Sequence, residues 1–255
     1  MKITTFLDEN YSEAALYLLY RATASYIDGL KNAARKAVYT IKKDNVRTPI
    51  KVTSLGGKIT DKAGYLHGEM SIQGTIVTMS KNYCGANNLP VLKGVGSFGT
   101  RHSNAASAPR YIFAAPADYF DLIFRKEDDV NLLAQKFEGD DIEPVFYVPT
   151  LPMLLVNGSE GIGVGFASNI YPRSVENMIK LCRTAIEKKP IKKEWFNPSW
   201  HDYEGTVERV EENSWLVKGV ATINGKKVSI TEVPMTWDLQ SYLQHLRTLK
   251  DEGKI

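Results

Sequence analysis

The sequence predicts an α+β fold, and three observations carry that reading. Two helical segments meet at a tight turn ahead of the glycine-rich stretch 94–99, and an Asn224-Gly225 dipeptide separates two strand-like runs. Charge also changes sign along the chain: residues 1–112 hold 15 Lys+Arg against 7 Asp+Glu, a net of +8, and residues 113–255 hold 17 against 22, a net of −5. Two helices, a turn and a glycine-rich tail have the outline of a helix-turn-helix with a wing.

In chain order, Ala15, Leu16, Leu19, Ala22 and Tyr26 form one helical stripe, which predicts an N-terminal helix over 12–26. Asp28-Gly29-Leu30-Lys31 breaks it, and Asn32 is the expected cap of a second helix over 33–41. A short helix is expected over 52–59, a turn at 61–64 and a longer helix over 67–82. Acidic runs at 127–129 and 138–143, with Pro144, Pro149 and Pro152, break the periodicity and suggest a domain boundary near residue 150. Beyond it come a helix over 175–188, strands over 205–210, 214–220 and 227–233, a hairpin turn at Asn224-Gly225, and a helical pattern over 238–250. The expected units are a helical arm (1–27), a winged-helix domain (28–150) and a further domain (151–255).

With 43% hydrophobic residues, 255 residues bury one sizeable core or two modest ones. No run of about 18 apolar residues suggests a membrane span, and no secretory leader pattern is visible, so an intracellular, cytoplasmic protein is expected. Cys84 and Cys182 lack His or Cys neighbours at ligand spacing and read as reduced structural thiols. The glycines of Asn157-Gly158-Ser159-Glu160-Gly161-Ile162-Gly163 lack the Lys-Ser/Thr ending of a phosphate-binding loop, which argues against a nucleotide enzyme. A basic first half attracts duplex DNA by counterion release, a term independent of base sequence.

Within that half stands Ala108-Pro109-Arg110-Tyr111-Ile112. A phenol titrates near pH 10 and is a poor nucleophile unaided. A neighbouring guanidinium supplies permanent charge and a planar fork for a non-bridging phosphate oxygen, as phosphotyrosyl-forming strand cleavage requires. The competing reading makes Tyr111 part of an aromatic core with Ile112, Phe113, Tyr119 and Phe120, and leaves a DNA-binding module without chemistry.

Several segments occur in a telling order: Asp28-Gly29-Leu30-Lys31 with Arg35-Lys36, Tyr65-Leu66-His67-Gly68-Glu69, Ser97-Phe98-Gly99-Thr100-Arg101, Ala105-Ala106-Ser107 before Arg110-Tyr111, and Leu151-Pro152 running into the glycine-rich motif. From about residue 14 to residue 237 this order resembles the breakage-reunion part of type IIA DNA topoisomerases, and most closely the medium subunit of the T-even phage enzyme. The resemblance implies a winged-helix DNA-cleavage domain followed by part of an α/β tower domain. It assigns Tyr111 as the nucleophile that forms a transient 5′-phosphotyrosyl bond while a second duplex passes, Arg110 as the phosphate clamp and His67 as a phosphate contact or proton relay. It further implies DNA contacts from Lys31, Arg35, Lys36 and Arg101, and a bending wedge in Ile162. The activity implied is that of an ATP-dependent type II topoisomerase, a homodimer in the full enzyme. Mg²⁺ and ATP are expected on a partner subunit, because no Glu-Gly-Asp or Asp-x-Asp constellation stands in a suitable context in this chain. Two departures stand out: Leu66 occupies a position where several relatives have His, and Asn32 replaces the proline of Asp-Gly-Leu-Lys-Pro.

Overall fold

The computed structural model describes residues 2–254. Helical backbone runs from α1 (Ile3–Thr5) through a π-helical segment, Phe6–Tyr11, into α2 (Ser12–Ala22). It stops four residues earlier than the apolar stripe predicts, because Thr23 turns extended and its N–H and hydroxyl both bond the Leu19 carbonyl. After a turn at 26–28 comes α3 (Asn32–Lys43), which turns Ala34, Ala37, Val38 and Ile41 into the core at helical spacing. Asn32 is not its cap. Lys31 holds the extended cap position, and the Asn32 amide lies 3.4 Å from both the Tyr20 hydroxyl and Glu143 Oε1.

Strand β1 (Ile50–Lys51) leads into α4 (Val52–Ala63), a turn longer than expected. It ends at Gly64, left-handed at φ 58°, where a side chain would also meet the Phe137 ring: an added Cβ would lie 2.6 Å away. Helix α5 (Glu69–Ser80) follows, so His67 belongs to the connecting turn and not to the helix. Ile72, Ile76 and Met79 of α5 pack inward with Val52, Leu55 and Ile59 of α4. Strands β2 (Leu92–Val95) and β3 (Phe113–Pro116) complete an antiparallel sheet of order β1-β3-β2, with Ile50 opposite Ala114 and Val95 opposite Phe113. The glycine-rich stretch therefore opens the long β2–β3 loop, which carries residues 96–112.

The acidic stretch is folded structure. After α6 (Phe120–Ile123) and a 3₁₀ segment, Lys126–Asn131, strands β4 (Ala134–Phe137) and β5 (Asp140–Pro144) form a hairpin. Glu138 (φ 52°) and Gly139 (φ 94°) make its two-residue turn, and paired positive φ values suit a hairpin twist. The core then continues through α7 (Met153–Asn157), whose Met153 and Val156 are buried, beneath the hairpin β6 (Ser159–Ile162) and β7 (Ala167–Ile170), and on to Met178 of α8 (Val175–Ile186).

Two further hairpins, β8 (Thr206–Glu211) with β9 (Ser214–Lys218) and β10 (Val220–Asn224) with β11 (Lys227–Glu232), precede α9 (Leu239–Asp251), capped by Asp238 accepting from the Ser241 N–H. The second turn sits one residue later than predicted. Asn224 pairs with Lys227, so the loop residues are Gly225 and Lys226, with Gly225 (φ 61°) in the glycine-first position of a type II′ turn. No described helix is long and apolar enough to cross a membrane.

Two ion pairs are sealed inside. Asp28, fully buried, accepts from Arg35 Nε at 2.7 Å, from Arg35 Nη2 at 3.1 Å, and from the backbone N–H groups of Leu30 and Tyr147 at 2.9 and 3.0 Å. Lys36 donates to Glu143 at 2.9 Å and to the Ala63 carbonyl. Burial pushes the Glu143 pKa up, the Lys36 ammonium only partly offsetting it. For Arg35 burial acts downward, but the Asp28 carboxylate outweighs it and the pKa is raised. Removing one member of a buried pair strands the other, so Asp28→Ala should lower unfolding stability by about 3–5 kcal/mol in a denaturant titration. A loss below about 1 kcal/mol, the scale of an exposed pair, would show that water or another group takes over Arg35.

Candidate nucleic-acid interface

The β2–β3 loop presents Arg110-Tyr111 outward from a firmly held base. Ile112 is buried and its carbonyl accepts from the Val52 N–H at 3.0 Å, while the Tyr111 N–H bonds the Ala108 carbonyl at 2.9 Å. The loop is closed upon itself by Ser107 N–H to the Ser97 carbonyl and Thr100 N–H to the Ser103 carbonyl, at 2.9 and 2.7 Å. Gly99 is required there: at φ 94° any Cβ would lie 2.7 Å from the Asn104 carbonyl oxygen. With Ile112 anchored, the next side chain points away, and Tyr111 is 67% exposed. Its ring is no part of the aromatic core. The Arg110 guanidinium lies 4.9 Å from the ring centroid, close enough for its charge to act on a phenolate.

A groove of about 1340 Å³ lies between α2, α5 and the β6–β7 hairpin. One wall is the outer face of α5, where Ser71, Gly74, Thr75 and Thr78 give a smooth, small-residue surface with open space at Gly74. Lys31, Lys81 and Arg21 bring positive charge to it. Lys31 also ties the far wall in place, donating to the Glu160 carbonyl at 2.7 Å. Ile162 ends strand β6 at 77% exposure, with Phe166 at 70% beside it across a short loop closed by Gly163 N–H to the Phe166 carbonyl. The hairpin sits tightly on α2: a Cβ on Gly161 would lie 2.3 Å from the Ala22 carbonyl oxygen.

His67 stands in the turn before α5. Its Nε2 is 2.8 Å from the Tyr17 hydroxyl, and the Tyr65 ring packs edge-on against it at 5.4 Å. Burial, then the charges of Arg21 and Lys36, holds its pKa below the ordinary histidine value, so the ring is neutral near pH 7.

Three of the expected DNA contacts need correction. Arg35 and Lys36 are buried and spent on Asp28 and Glu143, so neither offers charge to a phosphate; helix periodicity turns both inward, where a basic pair in a basic segment looked like surface. Arg101 is largely withdrawn, donating to Glu232 at 3.2 Å and to the Val233 carbonyl at 3.0 Å, with its buried Nε left without a partner. Arg21 was missed by the sequence reading. It is the one basic residue of α2, and that isolation was the available signal.

Among the described residues no three His, Cys, Asp or Glu side chains gather where they could hold a metal ion. Cys84 and Cys182 are free thiols whose pKa values burial pushes up, away from reactivity.

Comparison with known proteins bears directly on this geometry. Residues 21–255 match the DNA gyrase/topoisomerase IV family, in its A-subunit branch. DNA topoisomerase 2-alpha of Rattus norvegicus is 34% identical over 94% of this chain and 17% of its own length; the Homo sapiens protein is 37% identical over 89% and 15%. A crystal structure of the Plasmodium falciparum topoisomerase II DNA-binding, cleavage and re-ligation domain superposes with a TM-score of 0.92 at 34% identity, covering 98% of this chain and 34% of that one. The chain thus spans about one sixth of the length of these curated relatives. By sequence and by fold, this chain belongs to the A-subunit family of DNA gyrase/topoisomerase IV.

Proposed function

We propose that this chain is the strand-cleaving and rejoining part of an ATP-dependent type II DNA topoisomerase. The observation that carries the reading is the Arg110-Tyr111 pair, exposed and rigidly based, in a chain of this family. The reaction is a reversible transesterification. The Tyr111 oxygen attacks the phosphorus in line, the O3′–P bond breaks, the phenolic proton leaves to a base or water, and the 3′ oxygen takes up a proton. The product is a 5′-phosphotyrosyl bond of similar energy to the bond lost, which is why resealing needs no further energy source. Arg110 offsets charge on the non-bridging oxygens as the transition state forms.

Helices α4 and α5, their turn and the β2–β3 hairpin are read as a winged helix, with the small-residue face of α5 entering a major groove. Arg21 and Lys31 neutralise phosphates beside it. Ile162, carried outward on the β6–β7 hairpin, is a wedge that opens a base step and bends the duplex, a cost of a few kcal/mol offset by added contacts. Residues 151–255 are read as part of a tower domain following the winged-helix unit of 28–150, and residues 1–27 as an arm. Mg²⁺ and ATP, with the residues that hold them, are assigned to a separate subunit, and cleavage of both strands to a homodimer working in the cytoplasm. The narrower relation to the T-even phage medium subunit rests on the motif order alone, since the relatives above are eukaryotic topoisomerases 2.

The alternative, a binding module without chemistry, is separated by Tyr111→Phe. This change removes one exposed oxygen, so in the assembled enzyme it should abolish covalent DNA trapping while thermal stability stays within about 0.5 kcal/mol of wild type, as expected of a surface change. Trapping that survives it would exclude Tyr111 as the nucleophile.

The division of charges is tested by salt. Arg21→Gln and Lys31→Gln should each reduce the slope of log binding constant against log salt by about one. Arg35→Gln, replacing a buried charge, should lower stability and leave the slope of the remaining folded protein unchanged; a slope change equal to that of Lys31→Gln would return Arg35 to the interface.

A further inference from the structure

We propose that Tyr17 is a positioning residue for His67: its phenol donates to Nε2 and fixes the imidazole proton on Nδ1, leaving Nδ1–H as the ring's one free donor for a DNA phosphate. The phosphate role rests on the function proposed above; the tautomer does not.

The geometry is a 2.8 Å contact between side chains 50 residues apart, made by the outer face of α2 against the turn before α5. Polarity follows from elementary chemistry. A phenol O–H is a far better donor than a neutral imidazole N–H, and an imidazole nitrogen is a far better acceptor than a phenol oxygen. The O–H···N arrangement is therefore the stable one, and it requires the ring proton on the other nitrogen. Nearby charge acts in the same direction. The Arg21 guanidinium lies 5.8 Å from the Tyr17 ring centroid. Burial, with the same Arg21 and Lys36, keeps the imidazole neutral, so Nε2 has a lone pair to offer.

Tyr65 fixes the ring plane from the side, edge-on at 78°. Nδ1 has no hydrogen-bond partner among the described residues. The neighbouring Leu66 is 76% exposed and carries no polar group that could share the task. A neutral imidazole that donates from Nδ1 while Nε2 is occupied is a hydrogen-bond donor to an anion and has no free lone pair for a proton. His67 is thereby assigned as a phosphate contact and not as the base for Tyr111. The N-terminal helix becomes part of the site: displacing α2 would release the tautomer.

Long-range ¹H–¹⁵N NMR of the ¹⁵N-labelled chain tests this, with the His67 resonances identified by their loss in His67→Gln. The wild-type spectrum should show Nδ1 protonated and Nε2 bare. In Tyr17→Phe, which keeps the ring of a half-exposed residue, His67 should pass to a mixture rich in the Nε2–H form. In the assembled enzyme the same variant should lower the cleavage rate by roughly tenfold at unchanged DNA affinity, below the ~10⁴-fold that a wrong tautomer costs in a Ser-His-Asp triad. An Nε2–H wild-type ring, or an identical tautomer in Tyr17→Phe, overturns the inference. A changed tautomer with an unaltered cleavage rate overturns the phosphate role of His67, and leaves the Tyr111 assignment standing on its own trapping result.

Discussion

The buried Asp28–Arg35 pair is the constraint on which the rest depends. A carboxylate with no solvent exposure is tolerable only if its lone pairs are taken up, and four donors from three segments do so: Leu30, Arg35 twice, and Tyr147. Meeting that demand fixes the turn after the N-terminal helix, the start of α3 and the segment that follows β5. Gly29 carries the constraint onward, because at φ 69° its backbone lies against Leu154, where a Cβ would be 2.3 Å from the amide nitrogen. Two residues later Lys31 reaches the Glu160 carbonyl. One short turn thus sets the distance between the helix pair and the hairpin that carries Ile162. A motif with the appearance of a phosphate-binding stretch is mainly a joint, and Lys31 is its one charged residue on the groove.

Charge is distributed by the same logic. The basic excess of the first half does not all reach solvent: Arg35 and Lys36 neutralise Asp28 and Glu143 inside, and Arg101 is held by Glu232 from the distant β11. Among the cations left for a polyanion, Lys31, Arg21, Lys81 and Arg110 stand around the groove and the β2–β3 loop. Fewer free cations, held on rigid elements, give registration more than bulk attraction. Of the acidic residues after Tyr111, Glu143 serves the interior, where it balances Lys36.

Much of this was legible in the sequence for identifiable reasons. The α3, α4 and α5 helices, the β10–β11 hairpin and α8 followed from periodicity and turn chemistry, which are local. The exposed Tyr111 and Ile162 were found through motif order and not through pattern, because no local rule distinguishes an exposed tyrosine beside Ile112 and Phe113 from a buried one. The β4–β5 and β6–β7 hairpins escaped because their residues are charged or glycine-rich and their stability comes from tertiary partners such as Lys36 and Ala22. The inward turn of Lys36 escaped for the same reason: a buried cation is identified by its partner, and Glu143 is more than a hundred residues away, whereas the Arg35 partner Asp28 lies only seven residues before it. The Tyr17–His67 contact, which sets the tautomer argument, also spans two elements with no sequence signal linking them.

The function proposed for this chain stands or falls on the covalent step. Incubating the assembled enzyme with duplex DNA, denaturing it rapidly, and digesting both polymers should yield a nucleotide-bearing peptide that mass spectrometry places on Tyr111, linked through a 5′ phosphate. An adduct on any other residue, or a linkage to a 3′ phosphate at Tyr111, would contradict it.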